Sequence, residues 1–286
     1  MTSESTARID AHHHVWDLDV RDQPWTAELP SLRRTFAVGE LRPHLAAHNI
    51  AGTVLVQTIV GPEETPELLA LAAADSAVAG VVGWVDLTTP AVDDELARLR
   101  SLPGGHALVG VRHQVQEEPD PRWLCRPDVR RGLAAVAAAG LSYDLLVTAD
   151  QLTAAVATVR ALPELRFVLD HGGKPRIRDG ELEPWRSHIA ALGECANVAV
   201  KLSGLVTEAA PDTWTVADLR PYADALLQSV GPARLMYGSD WPVCLLAASY
   251  DQVIDAAEQL TGALSPSERV DVFGGTAART YGLAMR

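Results

Sequence analysis

The chain has 286 residues, of which 48% are hydrophobic, enough to bury a full core in one large α/β domain or two smaller ones. Its formal net charge is -13 at pH 7 and no segment is dense in Lys or Arg, which argues against nucleic acid and anionic membranes as principal partners. The cysteines, Cys125, Cys195 and Cys244, are too scattered for a disulfide framework or a thiolate metal site.

The first residues are polar and carry no apolar signal-peptide core. No segment approaches the roughly 20 consecutive apolar residues of a membrane span. We therefore expect a cytoplasmic protein that binds a small molecule and interacts with neither nucleic acid nor membrane. Residues 1–8 are expected to form a flexible N-terminal extension. The composition leaves both a monomer and a homo-oligomer open.

Eight apolar, β-branched segments recur along the chain, and most precede an Ala- and Leu-rich stretch typical of a helix. The predicted strands cover residues 9–14, 53–57, 81–86, 108–113, 142–147, 167–171, 198–204 and 235–240. The predicted helices cover residues 40–45, 66–74, 93–99, 129–139, 150–160, 185–192, 216–229, 253–260 and 267–281. This alternation predicts a single (β/α)8 TIM barrel over residues 1–286, with a doubly wound open sheet as the alternative. Trp16 and Trp25 lie in the long loop after the first strand and favour an ordered lid there.

In such a barrel the active site lies at the carboxyl ends of the strands. Polar side chains are dense at those predicted ends, namely His12, His14, Gln57, Trp84, Arg112, His113, Asp144, Asp170, His171, Lys201, Ser203 and Asp240. Because closure makes strand 8 the neighbour of strand 1, we expect Asp240 beside His12 and His14, which strand alternation places on one face. Two imidazoles and a carboxylate suit one divalent metal ion, such as zinc or manganese. Without a metal, Asp240 would act as a general base on water, with the histidines donating to a substrate oxygen.

Three of these residues, and Asp10 below them, need a choice between interpretations. Strand parity lets only one of Asp170 and His171 face inward if strand 6 stays regular. Lys201 suits a salt bridge inside the barrel as well as a substrate contact. Asp10 lies deeper on the same face as His12, where a buried hydrogen-bonding role is expected.

Five segments at these strand ends resemble those of the amidohydrolase superfamily, of the amidohydrolase-2 type. They are IDAHHHVW at 9–16, GVRH at 110–113, LDHGGKP at 169–175, KLSGLVTE at 201–208 and YGSDWPV at 237–243. Within the superfamily they are closest to the branch of the sugar lactonases, such as L-fuconolactonase and L-rhamnonolactonase. The resemblance runs from the first predicted strand to the last.

The resemblance implies a role for each matched residue. His12, His14 and Asp240 match a metal or substrate site, His171 matches the histidine near the substrate carbonyl, and Asp240 matches the residue that activates the hydrolytic water. Binuclear relatives carry a bridging lysine or glutamate on strand 4 and a histidine on strand 5, whereas this chain has Arg112-His113 and Asp144 there. A two-metal centre is therefore not expected, and the branch includes members with one divalent metal and members with none.

The leading hypothesis is hydrolysis of an aldonolactone, similar to L-fuconolactone, to the free acid. Arg112, His113 and Lys174 are the expected contacts to substrate hydroxyls or a carboxylate. Trp16, Trp84 and Trp241 are the expected apolar walls against the sugar faces. A lactone isomerase, a decarboxylase on the same scaffold, and a non-catalytic sugar-binding barrel remain the alternatives.

Overall fold

A computed structural model describes residues 7–283 and contains eight strands that pair in parallel in the order of the chain. The predicted (β/α)8 barrel is confirmed. The strands are β1 Arg8–His13, β2 Ile50–Val56, β3 Val78–Gly83, β4 Leu108–His113, β5 Ser142–Leu145, β6 Arg166–Leu169, β7 Val198–Leu202 and β8 Leu235–Tyr237.

The barrel closes just beyond the end of β8. The backbone N–H of Asp240 donates to the carbonyl of His12 at 2.8 Å, and that of His14 donates to Trp241 at 2.7 Å. His13 and Trp241 form a parallel bridge between these two bonds. The expected adjacency of strands 1 and 8 is therefore made by the segments that carry the candidate site residues.

Helices surround the barrel, and most of them follow a strand as predicted. Their bounds are α1 Val38–Ala47, α2 Glu64–Ala74, α3 Val92–Ser101, α4 Pro127–Ala138, α5 Leu152–Ala161, α6 Trp185–Gly193, α7 Leu205–Glu208, α8 Val216–Val230, α9 Tyr250–Leu260, α10 Pro266–Val270 and α11 Thr276–Tyr281. None of the helices in this part of the chain is long and apolar enough to cross a membrane.

The predicted single helix over residues 267–281 was wrong, because α10 and α11 are separated by a distorted turn at Asp271–Gly275. A Cβ at Gly274 would lie 2.2 Å from the carbonyl oxygen of Ala7, so only glycine lets this turn approach the start of β1. Arg8 already belongs to β1, which shortens the expected N-terminal extension, while residues 1–6 lie outside the described part of the chain.

Two apolar layers stabilise the barrel. The larger lies between the strands and the surrounding helices. The smaller contains side chains from several strands, including Ile9, Val54 and Val168, packed against Tyr281 and Leu283 near the C-terminus of the chain. The candidate site, at the carboxyl ends of the strands, is therefore built over a packed interior rather than over an open pore.

Candidate active site

His12 and His14 are placed by β1 and the residue that follows it. Both side chains are buried, and their Nε2 atoms lie 3.1 Å apart. His14 Nδ1 lies 2.7 Å from the carbonyl oxygen of Val56. Since a carbonyl can only accept, Nδ1 carries a proton and Nε2 is turned toward the site.

Asp240 follows β8 in a left-handed backbone conformation, with a φ of 57°. Its Oδ1 lies 3.6 Å from His12 Nε2, 3.4 Å from His14 Nε2 and 4.0 Å from His171 Nε2. Gly238 allows this close approach, because a Cβ there would lie 2.7 Å from the Cβ of His12. The expected meeting of Asp240 with the two histidines of the first strand is therefore present in the structure.

His171 reaches the same point from a turn, Asp170–Gly173, that begins where β6 ends. His171 has a φ of 53°, and its Nδ1 is hydrogen-bonded to Ser203 Oγ at 2.9 Å. A Cβ on Gly204 would lie 2.6 Å from that Nδ1. The strand is not regular here, so the parity rule does not apply, and Asp170 and His171 are both buried within the site.

The environment sets the protonation of these groups. Burial lowers the pKa of His171 to about 4, and burial together with the charge of Lys201 holds the pKa of His12 well below its usual range. Burial would raise the pKa of Asp240, but the neighbouring His171, His14 and His12 outweigh it, and the pKa lies below its ordinary value. At neutral pH the site therefore presents neutral His12 and His171 imidazoles around a carboxylate.

This donor set fits one divalent cation. His12, His171 and Asp240 each offer a ligand atom, and these atoms lie within 4.8 Å of one another. Neutral imidazoles and an ionised carboxylate are the forms that bind zinc. His12 Nδ1 lies 3.4 Å from Asp170 Oδ1 and 3.1 Å from Lys201 Nζ, so the ring nitrogen that faces Asp240 is Nε2. The sequence analysis expected His12, His14 and Asp240 as the metal ligands, whereas this cluster contains His171 in place of His14. His14 lies beside the cluster, with its Nε2 3.1 Å from His12 Nε2.

A buried network of charged side chains lies beneath the site. Lys201 Nζ lies 2.6 Å from Asp144 Oδ2, 2.9 Å from Asp170 Oδ1 and 3.1 Å from His12 Nδ1. Arg112 Nη1 donates to Asp170 Oδ2 at 2.9 Å. Lys201 is fully buried, so of its two predicted roles the salt bridge inside the barrel is the one that the geometry supports. Asp170 connects both cations to His12.

A cavity of about 200 Å³ opens above this cluster. Arg112 and Lys174, two of the predicted substrate contacts, border it together with the catalytic candidates. Its full lining is His14, Trp25, Thr58, Arg112, Gln114, Gln116, Glu117, Leu146, His171, Lys174, Thr207, Asp240 and Val243. Lys174 has a φ of 49°, a strained conformation that the preceding turn imposes on it.

The other four predicted substrate contacts lie outside this lining, and each is held by packing or hydrogen bonds with other side chains. Trp16 and Trp241 are buried against Phe36, at ring-centroid distances of 5.0 Å and 5.5 Å. Trp84 Nε1 donates to His113 Nδ1 at 3.0 Å, and His113 Nε2 lies 2.7 Å from Glu118 Oε1.

Sequence reasoning named Trp16, Trp84 and Trp241 as the apolar walls of the site, and their contact with substrate stays a prediction. Trp25, which borders the cavity, had been noted only as part of an ordered lid. Its position in the long loop after β1 was the available signal, because loops at that end of a barrel line the active site.

Asp10 takes the buried hydrogen-bonding role expected of it. Its Oδ1 accepts from the backbone N–H groups of Ser239 and His12, at 2.9 Å and 3.2 Å. Burial raises its pKa to about 6. Asp10 therefore joins the start of the β8 loop to β1 beneath the site.

Comparison with known proteins finds a family and relatives that match nearly the whole chain. A family model described as Amidohydrolase matches residues 9–283. L-fucono-1,5-lactonase from Burkholderia multivorans is 40% identical over 291 residues, which cover 96% of each protein. The L-fucono-1,5-lactonase of Burkholderia ambifaria is 38% identical over 281 residues, again covering 96% of each.

A solved structure shows that the likeness extends to the three-dimensional fold. The crystal structure of an amidohydrolase from Burkholderia multivorans with bound zinc has a TM-score of 0.91 and 40% identity, covering 97% of this chain and 99% of that chain. Sequence and fold agree over nearly the full length, and the chain belongs to the amidohydrolase family.

Proposed function

We propose that this protein hydrolyses an aldonolactone similar to L-fuconolactone to the free sugar acid. One observation carries the proposal: His12, His171 and Asp240 form one cluster, of which His171 and Asp240 border a small cavity, in a chain that is 40% identical to a protein named L-fucono-1,5-lactonase. A cavity of about 200 Å³ suits a single monosaccharide-sized ring.

In the proposed reaction Asp240 acts as the general base. Its carboxylate accepts a proton from a water molecule, and the hydroxide oxygen attacks the lactone carbonyl to form a tetrahedral oxyanion. The ring C–O ester bond then breaks, and Asp240 returns the proton to the departing ring oxygen. One water is consumed, and the products are a carboxylic acid and a hydroxyl on the same open chain.

The neighbouring side chains bind and orient the substrate. His171 is fixed by Ser203 beside Asp240 and is assigned to the lactone carbonyl. The Arg112 guanidinium borders the cavity and supplies positive charge for the developing oxyanion. Lys174 on the rim is assigned to a substrate hydroxyl.

His12, His171 and Asp240 would hold one divalent ion, with His14 beside them. A bound ion of this kind polarises a carbonyl and lowers the pKa of a nearby water. The zinc bound by the Burkholderia multivorans relative supports this assignment.

The decisive experiment screens a panel of aldonolactones with a pH indicator, with and without a chelator. Acid release with at least one sugar lactone is expected. Product analysis by NMR separates the alternatives: a rearranged lactone would indicate an isomerase, and release of CO2 a decarboxylase. If no lactone is turned over but one still binds, the sugar-binding interpretation replaces hydrolysis.

We also propose a cytoplasmic location. The three cysteines in the described residues are all free, as is common in a reducing compartment. Fractionation of the source cells with an antibody to this chain tests the proposal, and recovery in an extracytoplasmic fraction would contradict it.

A further inference from the structure

Trp25 is the one tryptophan in the described lining of the active-site cavity. It lies in a short 3-10 turn, Pro24–Thr26, within the loop between β1 and α1. Most of the lining residues are polar, and Trp25 contributes apolar surface together with Leu146 and Val243. The cavity therefore has both polar and apolar sides.

The indole of Trp25 is held in place by its neighbours. Its Nε1 donates to Gln23 Oε1 at 2.8 Å, so its polar group is already satisfied. Its ring meets Trp16 nearly edge-on, with centroids 5.3 Å apart and an interplanar angle of 80°. Trp16 is 5% exposed, whereas Trp25 is only half-buried and borders the cavity.

The turn that carries Trp25 is itself fixed. Arg33 Nη1 donates to the carbonyl of Gln23 at 2.9 Å and to Thr26 Oγ1 at 3.2 Å. Trp16 and Phe36 exchange two backbone hydrogen bonds, of 3.0 Å and 2.8 Å, which close the base of the loop. The loop therefore presents a preorganised indole, which keeps the entropy cost of ligand binding low.

The same aromatic cluster connects Trp25 to the catalytic segment. Trp16 meets Phe36 at 5.0 Å, and Phe36 meets Trp241 at 5.5 Å, each nearly edge-on. Trp241 directly follows Asp240. Through these contacts the indole keeps a set position relative to the proposed base.

We propose that Trp25 is a substrate-binding residue that packs its indole against the C–H face of a pyranose-type lactone. A sugar ring has one face rich in C–H groups, and the electron-rich face of an indole attracts their partial positive charge. The hydroxyls of the ring then meet the polar wall, which includes Gln114, Gln116 and Lys174. This inference rests on the proposed function, because it takes an aldonolactone as the ligand.

The test compares Trp25→Ala, Trp25→Phe and the native protein. Trp25→Ala should raise KM for the best aldono-1,5-lactone about tenfold, the value of one aromatic contact, while kcat changes little. Trp25→Phe keeps an aromatic face and should recover most of the loss. Trp214→Phe is the matched control, because Trp214 donates to the carbonyl of Ala247, away from the cavity lining. An unchanged KM in Trp25→Ala would overturn the proposal.

A binding measurement separates this inference from the proposed function. L-Fucose, a pyranose that keeps the six-membered ring but has no ester bond, is titrated into each protein by calorimetry, which needs no turnover. About tenfold weaker binding by Trp25→Ala supports the role of the indole even if the native enzyme shows no hydrolysis. Equal affinity of both proteins, or no binding by the native protein, overturns it. Near-UV circular dichroism confirms that the variants are folded.

Discussion

The Asp240 carboxylate lies 3.6 Å from His12 Nε2, and the Asp240 backbone N–H donates to the His12 carbonyl at 2.8 Å. The same pair of residues thus closes the barrel and forms part of the candidate active site. Because the contact is made through both backbone and side chain, the position of the carboxylate is set by the fold itself. That rigidity is what a catalytic group requires, since small displacements are costly in rate.

Asp240→Asn should keep the fold and lose the reaction. The amide is nearly the same size but cannot accept the proton, so we expect kcat to fall by about 10²–10⁴-fold, the usual contribution of a general base. Asp251→Asn is the matched control, because that carboxylate is exposed and contacts only His44 and His48 among the described side chains. Turnover by Asp240→Asn at the native rate would exclude Asp240 as the base.

Sequence reasoning could find the strands, because their apolar segments are a local pattern. It could also find the polar residues of the site, because a barrel brings the carboxyl ends of all its strands together. It brought His12 and Asp240 together correctly. It could not say how β6 ends, since the inward position of both Asp170 and His171 depends on a φ of 53° at His171 that no periodicity encodes.

The substrate contacts were harder for a related reason. Whether a tryptophan lines a cavity or packs behind it depends on the path of a long loop, which has no repeating pattern. Trp16 and Trp241 adjoin site residues in sequence but turn toward Phe36, whereas Trp25 reaches the cavity.

The native protein should contain about one divalent ion per chain, and added zinc should raise Tm after chelation, because a ligand that binds only the folded state stabilises it. His171→Asn should lower the metal content, since it removes one of the three ligand candidates. Elemental analysis and thermal denaturation measure both effects. A fully active enzyme without metal would favour the metal-free form of the reaction, in which the histidines act as donors.

Lys201→Met should destabilise the fold strongly. It leaves Asp144 buried without its cation and removes one of the two cations that contact Asp170, of which Arg112 remains, and stranding a buried charge typically costs about 3–5 kcal/mol. Adding Asp144→Asn removes the stranded charge and should recover part of the loss. The control is Arg160→Met, which breaks only an exposed pair with Glu194 and should cost less than about 1 kcal/mol. Urea denaturation measures all three, and equal losses for Lys201 and Arg160 would contradict the network's role.

His13 should make the folding free energy depend on pH. Burial lowers its pKa from 6.5 to about 3, so between these values the unfolded chain binds a proton that the folded chain does not. Its contribution to stability is full above pH 6.5 and is lost as pH falls, by about 2 kcal/mol between pH 7.5 and pH 5. His13→Asn should therefore show a shallower loss over this range in urea titrations. The exposed His106→Asn control should follow the native curve, and a native-like slope in His13→Asn would contradict the assignment.

Ser203→Ala should reduce activity through His171 rather than through the fold. The substitution removes the hydroxyl at 2.9 Å from His171 Nδ1 and leaves the ring free to turn. Loss of such a supporting hydrogen bond usually costs about 10–100-fold in activity or metal affinity. Ser203→Thr keeps a hydroxyl and should restore part of the rate, whereas a merely structural role would give no such rescue.

Ser187→Ala removes an exposed hydroxyl bonded to Glu183 and serves as the control. Native kcat and native metal content in Ser203→Ala would show that His171 is held by the turn alone, without help from Ser203.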